Sequence, residues 1–208
     1  GFRDGQQQGM PTLTRDWIVA HNEGLLAFAG GTDGEIGRAI LADKRDQARR
    51  LTDGWRECFG DRFYFNVQRT GRAGESRYLE GAFDLAVELQ AGLVATNDVR
   101  FLKRDDFDAH EARVCIYEGR TLADPRRSRN YTEEQYLRSA AEMHELFADL
   151  PEAVENSVEI ARRCNVDVKL GDTFLPDFSV PDGYTTDSWF VEASKTGLEQ
   201  RLLKLLPA

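Results

Sequence analysis

The sequence has 208 residues, of which 41% are hydrophobic and 30% charged, and its formal net charge is −9. This length suits one domain with a substantial core, while the acidic balance argues against a general binder of nucleic-acid phosphates, which requires clustered Lys and Arg. No apolar run approaches the roughly 18 residues of a membrane span, so we expect no membrane partner. The three cysteines form no CxxC pair, which argues against a zinc ribbon or a disulfide framework.

Apolar runs and amphipathic segments alternate in the first half of the sequence, after an N-terminal stretch (1–11) that is predicted to be loop. Unbroken apolar or aromatic runs favour strands, and turn residues end them. The predicted strands are 25–29, 62–69 and a run that starts at Leu93, and the predicted helices are 34–41, 43–59 and 75–90. This alternation predicts an α/β fold with parallel strands and helices outside them.

The second half of the sequence reads as mainly helical. The predicted helices are 106–118, one that starts at Thr132, 140–149, 151–164 and 186–206, with a short strand at 166–170 and a proline-containing linker at 174–183. Each cysteine falls in a predicted helix, which is typical of a reduced, buried thiol.

Polar residues follow the strand that starts at Leu93, and Asp98 is the first acidic residue among them. In folds built from parallel strands, ligands and active sites collect at the carboxyl ends of the strands. An Asp in this position is also a common helix N-cap or turn former. Both interpretations of Asp98 stay open on the pattern alone.

Several long segments resemble the bacterial DNA polymerase III alpha-subunit family, in its polymerase-and-histidinol-phosphatase (PHP) domain. The segments are ATNDVRF (95–101), DFDAHEARVCIYEG (106–119), DPRRSRNYTEEQYLRS (124–139), ELFADLPEAVENSVEIARRCNV (145–166) and FLP (174–176). The resemblance implies a partial, distorted seven-stranded β/α barrel followed by the helical start of the polymerase core. Residues 1–172 would be the C-terminal two thirds of the PHP domain, and residues 173–208 a linker and the first helix of the palm region.

The resemblance also implies a position for a metal site. PHP domains that hydrolyse phosphate esters hold two or three divalent metals through His, Asp and Glu residues, and their final motif is Asp-x-His. The matching positions here are Asp98, Val99 and Arg100. A guanidinium stays protonated and offers only donors, so it cannot ligate a cation. We therefore expect Arg100 to pair with Asp98 or with a neighbouring carboxylate.

Two further strand ends depart from the family pattern. Gly31 stands where the family often has a ligand, and Asn66 and Thr70 stand where active members tend to carry Glu and His. The three histidines (His21, His110 and His144) are too far apart for an HxH or HExxH pair. We predict a degenerate metal site with no bound metal and no catalytic residue in this chain. A metal-dependent phosphoesterase, or an in-built 3′–5′ exonuclease, is the alternative.

A basic loop at residues 124–131 contains Arg126, Arg127 and Arg129 beside Tyr131. One interpretation is contact with DNA phosphate or with a neighbouring polymerase domain, which salt would weaken. The other is a solvated loop whose arginines pair with nearby carboxylates.

The resemblance implies a function for the parent protein, a cytoplasmic DNA-directed DNA polymerase that uses Mg²⁺ and binds DNA. The carboxylates that hold its metals are expected beyond Ala208. For this chain we expect no bound cofactor and a scaffold role, with the proofreading exonuclease subunit and other replicase subunits as partners. A stand-alone binding module is a third, weaker hypothesis.

Overall fold

The computed structural model describes residues 6–7, 10–173 and 178–205. The chain packs as two units, Gly1–Asn165 and Val166–Ala208. Among the described residues, the first unit contains β1 (Gln6–Gln7), β2 (Met10–Pro11), α1 (Arg15–Ala20), β3 (Ala27–Phe28), α2 (Glu35–Leu41), α3 (Arg45–Phe59), β4 (Phe63–Val67), α4 (Glu75–Leu89), β5 (Gly92–Ala95), α5 (Phe107–Glu118), α6 (Ala140–Leu146) and α7 (Pro151–Arg163).

The predicted parallel arrangement is present in the first unit. In the described part of the chain, β3, β4 and β5 form a three-stranded parallel sheet in that order. Phe28 lies opposite Tyr64, and Val67 lies opposite Ala95, so the three strands end at the same edge. The α/β class is confirmed, while the seven-stranded barrel stays a prediction.

Helices cover the sheet and form the core with it. The apolar positions predicted for α4 are buried, because they recur on the face that packs against α2 and β4: Tyr78, Ala82, Leu85 and Leu89. Helix α7 lies along β5, where the Asn156 side-chain amide donates to the carbonyl of Leu93 at 2.8 Å. This bond satisfies a backbone acceptor of β5 outside the strand ladder.

Segment 132–138 is not the helix that the sequence predicts. It forms a turn and an isolated parallel bridge between Tyr136 and Phe101. The hydroxyl of Thr132 donates to the carbonyl of Thr70, and the side-chain amide of Gln135 donates to Asp98. These tertiary hydrogen bonds compete with helix formation, which is why the local pattern was misleading.

Three further predictions were wrong. Residues 6–7 and 10–11, predicted as loop, pair as the antiparallel strands β1 and β2. Residues 166–170, predicted as a strand, pair with no strand in the part of the chain that the structure describes, and Val166, Val168 and Leu170 are exposed. Cys164 is exposed just after α7 ends, whereas Cys115 is buried and Cys58 half-buried. An alternating pattern alone does not supply a neighbouring strand.

The second unit contains the last helix, α8 (Thr186–Leu205), which confirms the predicted helix over the described residues, and the last predicted position, 206, lies outside them. Tyr184 packs edge-on against Trp189, with 5.2 Å between ring centroids. Residues 174–177 of the predicted linker lie outside the described residues. Among the described helices, none is both long enough and apolar enough to cross a bilayer. The predicted division of the chain at residues 172 and 173 stays a prediction.

Candidate functional site

The residues predicted to surround a metal site lie at the carboxyl ends of β3, β4 and β5. Gly31 follows β3, Asn66 lies in β4, and Asp98 follows β5. The parallel register places these positions at one edge of the sheet, as the sequence implied. Side chains from the segments that follow the strands complete the cluster.

Asn66 ties the end of β4 to the turn after β3. Its Oδ1 accepts the backbone N–H groups of Gly30 at 2.9 Å and Gly31 at 3.0 Å. Both glycines have positive φ angles, +84° and +60°, which other residues rarely adopt. Helix α2 also approaches closely, because a Cβ on Gly37 would lie 2.0 Å from the carbonyl oxygen of Gly31. The turn is therefore rigid, and Asn66 is used as a structural acceptor.

Thr70 is fully buried and bonds to the first residue of α4. Its hydroxyl donates to Oε1 of Glu75 at 2.5 Å, and its backbone N–H donates to Oε2 at 2.7 Å. Glu75 is itself buried. Acidic residues are common in the first turn of a helix. The sequence therefore does not indicate that Glu75 binds the loop after β4.

Asp98 is the most highly connected residue of the site. Its Oδ1 lies 2.8 Å from Nη2 of Arg100, and its Oδ2 accepts from Nε2 of Gln135 at 2.8 Å. Nη1 of Arg72 lies 3.5 Å from the same Oδ2. The φ angle of Asp98 is +42°, a conformation that Asp tolerates better than most residues. Two guanidinium groups and an amide thus surround one carboxylate.

Sequence reasoning missed Arg72 and Gln135. Gln135 is fully buried, and its backbone carbonyl accepts the N–H of Arg100 at 2.8 Å. Arg72 also pairs with Asp33, at 3.1 Å. Gln135 lies within the segment 124–139 that carries the family resemblance, but neither residue belongs to the metal-ligand pattern of the family. Because the segment around Gln135 was predicted to be helical, the sequence did not indicate that this glutamine is buried beside Asp98.

An aromatic cluster lies beside Arg100. The guanidinium carbon is 5.4 Å from the ring centroid of Tyr131, and Tyr131 packs edge-on against His110 at 4.6 Å. His110 is buried, and burial lowers its pKa, helped by the positive charges of Arg113 and Arg100 and opposed by Glu111. A neutral, ring-packed His110 is the core histidine expected on base rates.

The chain is similar in sequence to known proteins. A family model described as PHP domain matches residues 1–70. The chain is 55% identical over 207 residues to the DNA polymerase III subunit alpha of Pseudomonas fluorescens. The aligned region covers 100% of this chain and 18% of that relative. The chain is 49% identical to the same subunit of Vibrio cholerae, and the aligned region covers 98% of this chain and 17% of that relative. It is 47% identical to the subunit of Escherichia coli K12, and the aligned region covers 99% of this chain and 18% of that relative.

The chain belongs to the DNA polymerase III alpha-subunit family. It spans about 18% of the length of these curated relatives.

The donor set at the strand ends does not fit the divalent metals of phosphate-hydrolysing PHP domains. Those metals require carboxylate, imidazole or thiolate ligands. Asp98 supplies a carboxylate, but two guanidinium groups and an amide engage it. Over the described ranges, no group of three or more His, Cys, Asp or Glu residues is arranged to hold a metal.

The basic loop of this family member folds back onto its own carboxylates. Arg126 pairs with Asp124 at 2.9 Å, and Arg127 forms a largely buried ion pair with Glu111. Hydrogen bonding from Arg126 lowers the pKa of Asp124 to about 2. Arg129 is exposed, and it forms no hydrogen bond or ion pair with any residue that the structure describes. Of the three predicted contact residues, Arg129 is the one whose charge is fully available to a partner.

Proposed function

We propose that this chain is the PHP part of a DNA polymerase III alpha subunit in which ion pairs hold the strand ends that metals hold in hydrolytic PHP domains. The observation that carries the proposal is the 2.8 Å contact between Nη2 of Arg100 and Oδ1 of Asp98. A permanent positive charge at the position of a ligating imidazole satisfies the carboxylate without a metal. The seven-stranded barrel and the assignment of residues 173–208 to the start of the polymerase core belong to the same proposal.

The role that we propose for this chain is structural. Asn66, Thr70 and Asp98 each use their polar atoms to bind another segment of the chain. Such a hydrogen-bonded edge is rigid and offers no open coordination position. A rigid surface suits a scaffold that supports the polymerase core and docks the proofreading exonuclease subunit.

The activity of the whole protein is part of the proposal, because the chain spans about 18% of its relatives. Their printed name, DNA polymerase III subunit alpha, supports a parent that is a DNA-directed DNA polymerase. Such a parent would use Mg²⁺ held by carboxylates outside this chain, bind DNA and other replicase subunits, and act in the cytoplasm.

Metal content of the full-length protein tests the proposal. The protein is purified without chelator, in wild-type form and with the polymerase metal carboxylates substituted, and zinc, manganese and iron are measured per chain. We expect well under one firmly held metal per chain in the substituted form. Two or more metals that survive dialysis in that form would contradict the proposal and favour the phosphoesterase or exonuclease alternative.

A further inference from the structure

Loops, rather than the sheet, cover the inner face of helix α5. This face carries His110, Glu111 and Cys115, and all three are buried. Cys115 is 3% exposed, yet it lies outside the main core cluster that the sheet and its helices form. Among the described elements, the main neighbour of α5 is the 3₁₀ turn Arg104–Asp106 that precedes it. The cover of Cys115 therefore comes largely from loops, and one of them follows the helix directly.

That loop is the strap, residues 120–131. It leaves α5 at Gly119, whose φ of +64° is a left-handed conformation that glycine adopts readily. The N–H of Arg120 bonds back to the carbonyl of Cys115 at 2.8 Å. Beyond Arg120, and over the residues that the structure describes, no backbone-to-backbone hydrogen bond joins the strap to a segment outside it. Contacts that involve side chains hold the strap against the rest of the protein.

Two neighbouring residues fasten the strap to α5. Arg127 forms an ion pair with Glu111, and these side chains are only 12% and 6% exposed. The hydroxyl of Ser128 donates to Glu118. Cys115 lies one helical turn after Glu111 on the same face of α5. A hydrogen bond to Glu111 raises the pKa of Arg127, and the nearby Cys115 adds to this effect. The guanidinium group therefore lies close to the thiol.

The far end of the strap reaches the strand-end site. Tyr131 packs edge-on against His110, with 4.6 Å between the ring centroids, and the guanidinium carbon of Arg100 lies 5.4 Å from the centroid of the Tyr131 ring. Arg100 is the residue that pairs with Asp98 at 2.8 Å. Because Tyr131 contacts both α5 and Arg100, the position of the strap and the position of Arg100 are energetically linked.

The closed strap leaves polar atoms beneath it unsatisfied. Nδ1 of His110, Oε1 of Glu111 and Nε of Arg127 are buried and have no hydrogen-bond partner among the described protein atoms. A buried polar group that is only partly satisfied costs free energy. Opening the strap gives these atoms access to bulk water, which offsets part of the ion pair that is lost. Local opening of the strap is therefore expected to need less free energy than global unfolding.

We propose that the strap opens from α5 as one unit, that the ion pair between Glu111 and Arg127 is its latch, and that Tyr131 couples its position to Arg100 at the strand ends. When closed, the strap shields the thiol of Cys115 and holds Tyr131 against Arg100. When open, it exposes the thiol and releases the ring.

Alkylation of Cys115 by iodoacetamide, followed peptide by peptide with mass spectrometry on the native full-length protein, measures this opening. A shielded thiol reacts only in the open state, so its rate reports the open population when closing is fast. The same peptide in the urea-unfolded protein gives the intrinsic rate. We expect Cys115 of the native wild type to react at least about tenfold more slowly than that. Cys58, which is half-buried in α3, reports any global loosening.

The latch variant is Arg127→Met, which keeps the apolar stem and removes the guanidinium. The matched control is Arg126→Met, because Arg126 is 74% exposed and pairs with Asp124 inside the strap. We expect the latch variant to raise the alkylation rate of Cys115 at least about tenfold and the control to change it less than about twofold. The rate of Cys58 should stay unchanged in both. Ser128→Ala, a milder change, should raise the rate of Cys115 about two- to tenfold.

Arg100→Met tests the coupling to the strand ends. Loss of the guanidinium beside Tyr131 should raise the alkylation rate of Cys115 about two- to fivefold, the effect expected of one cation–π contact. Arg72→Met is the control, because Arg72 also pairs with Asp98, at 3.5 Å, and we expect it to leave the rate unchanged. An equal rise in both variants would attribute the effect to Asp98 and overturn the coupling through Tyr131.

Three other results would overturn the proposal. Native Cys115 that reacts as fast as in the unfolded protein would show that nothing shields it. Equal rates in Arg127→Met and Arg126→Met would show that the ion pair with Glu111 is not a latch. A parallel rise of Cys58 and Cys115 in every variant, including Ser128→Ala, would show that the thiol is exposed by global unfolding. None of these results depends on metal content, so the strap and the proposed function are tested independently.

Discussion

We expect the ion pair between Asp98 and Arg100 to contribute measurably to the free energy of unfolding. In a double-mutant cycle, Asp98→Asn removes the charge but keeps an oxygen for the amide of Gln135, and Asn also tolerates the φ of +42°. Arg100→Met removes the guanidinium but keeps an apolar stem beside Tyr131. The cycle therefore isolates the interaction between the two charges.

The expected coupling follows from the geometry. Opposite unit charges about 4 Å apart attract by about 4 kcal/mol at the effective dielectric constant near a protein surface, before the cost of desolvation is subtracted. The side chains of Asp98 and Arg100 are 21% and 42% exposed, and solvent screening reduces the interaction. We expect a coupling free energy of roughly 1 kcal/mol. The pair between Arg72 and Asp98 is lost to the same extent in both variants that carry Asp98→Asn, so its contribution cancels to first order.

Urea unfolding of wild type, the two single variants and the double variant measures this coupling. The pair Glu159 and Arg162 on α7 is the control, because its side chains are 55% and 71% exposed, and we expect a coupling below about 0.5 kcal/mol there. If the coupling between Asp98 and Arg100 does not exceed that of the control, the ion pair does not stabilise the site, and the reasoning behind the structural role is refuted.

Three further predictions concern neighbouring groups. Asn66→Ala should lower the free energy of unfolding by roughly 1–2 kcal/mol, because the N–H groups of Gly30 and Gly31 lose their acceptor, whereas Asn66→Asp, which keeps that acceptor, should cost less in the same denaturation assay. The hydrogen bond from the Tyr136 hydroxyl, and to a smaller extent those from Ser139, lower the pKa of Glu142 to about 2. Tyr136→Phe should therefore move the pH at which Glu142 is half-protonated, measured by NMR, toward 4.5. An unchanged titration of Glu142 would show that the hydroxyl is not the cause. Burial lowers the pKa of His110, so as the pH falls His110 is protonated in the unfolded chain before it is protonated in the folded chain. Stability is therefore lost as the pH falls through about 6.5. His110→Gln should flatten the dependence of the urea midpoint on pH between about 7.5 and 5.5, and equal slopes in wild type and variant would contradict this.

The order of strands and helices was accessible from the sequence because it depends on local patterns. The buried positions of α4 recur every three or four residues, and β4 is a short aromatic and β-branched run between turn signals. The position of Asp98 followed from the same logic, since a polar residue directly after a buried strand lies at the functional edge of a parallel sheet.

The partners of Asp98 were not accessible in this way. Gln135 lies 37 residues further along the chain, in a segment whose local pattern favoured a helix. Tertiary hydrogen bonds to Thr70 and Asp98 outweigh that preference, and no periodicity reports them. For the same reason Glu75 and Arg72 look like ordinary surface residues in the sequence, although one is buried and the other is paired twice.

The Asp98 carboxylate is partly buried, with 21% of its side chain exposed. A partly buried carboxylate without partners would be costly, because it loses hydration and gains nothing in return. Here it forms ion pairs with Arg72 after β4 and Arg100 after β5, and it accepts a hydrogen bond from Gln135 in the turn at residues 132–138. Replacing Asp98 by an apolar residue would leave the buried amide of Gln135 with only its 3.3 Å contact to the backbone carbonyl of residue 98. It would also remove the carboxylate beside Arg100, whereas Arg72 would keep Asp33. The site is therefore a junction of three loops that meet at the Asp98 carboxylate.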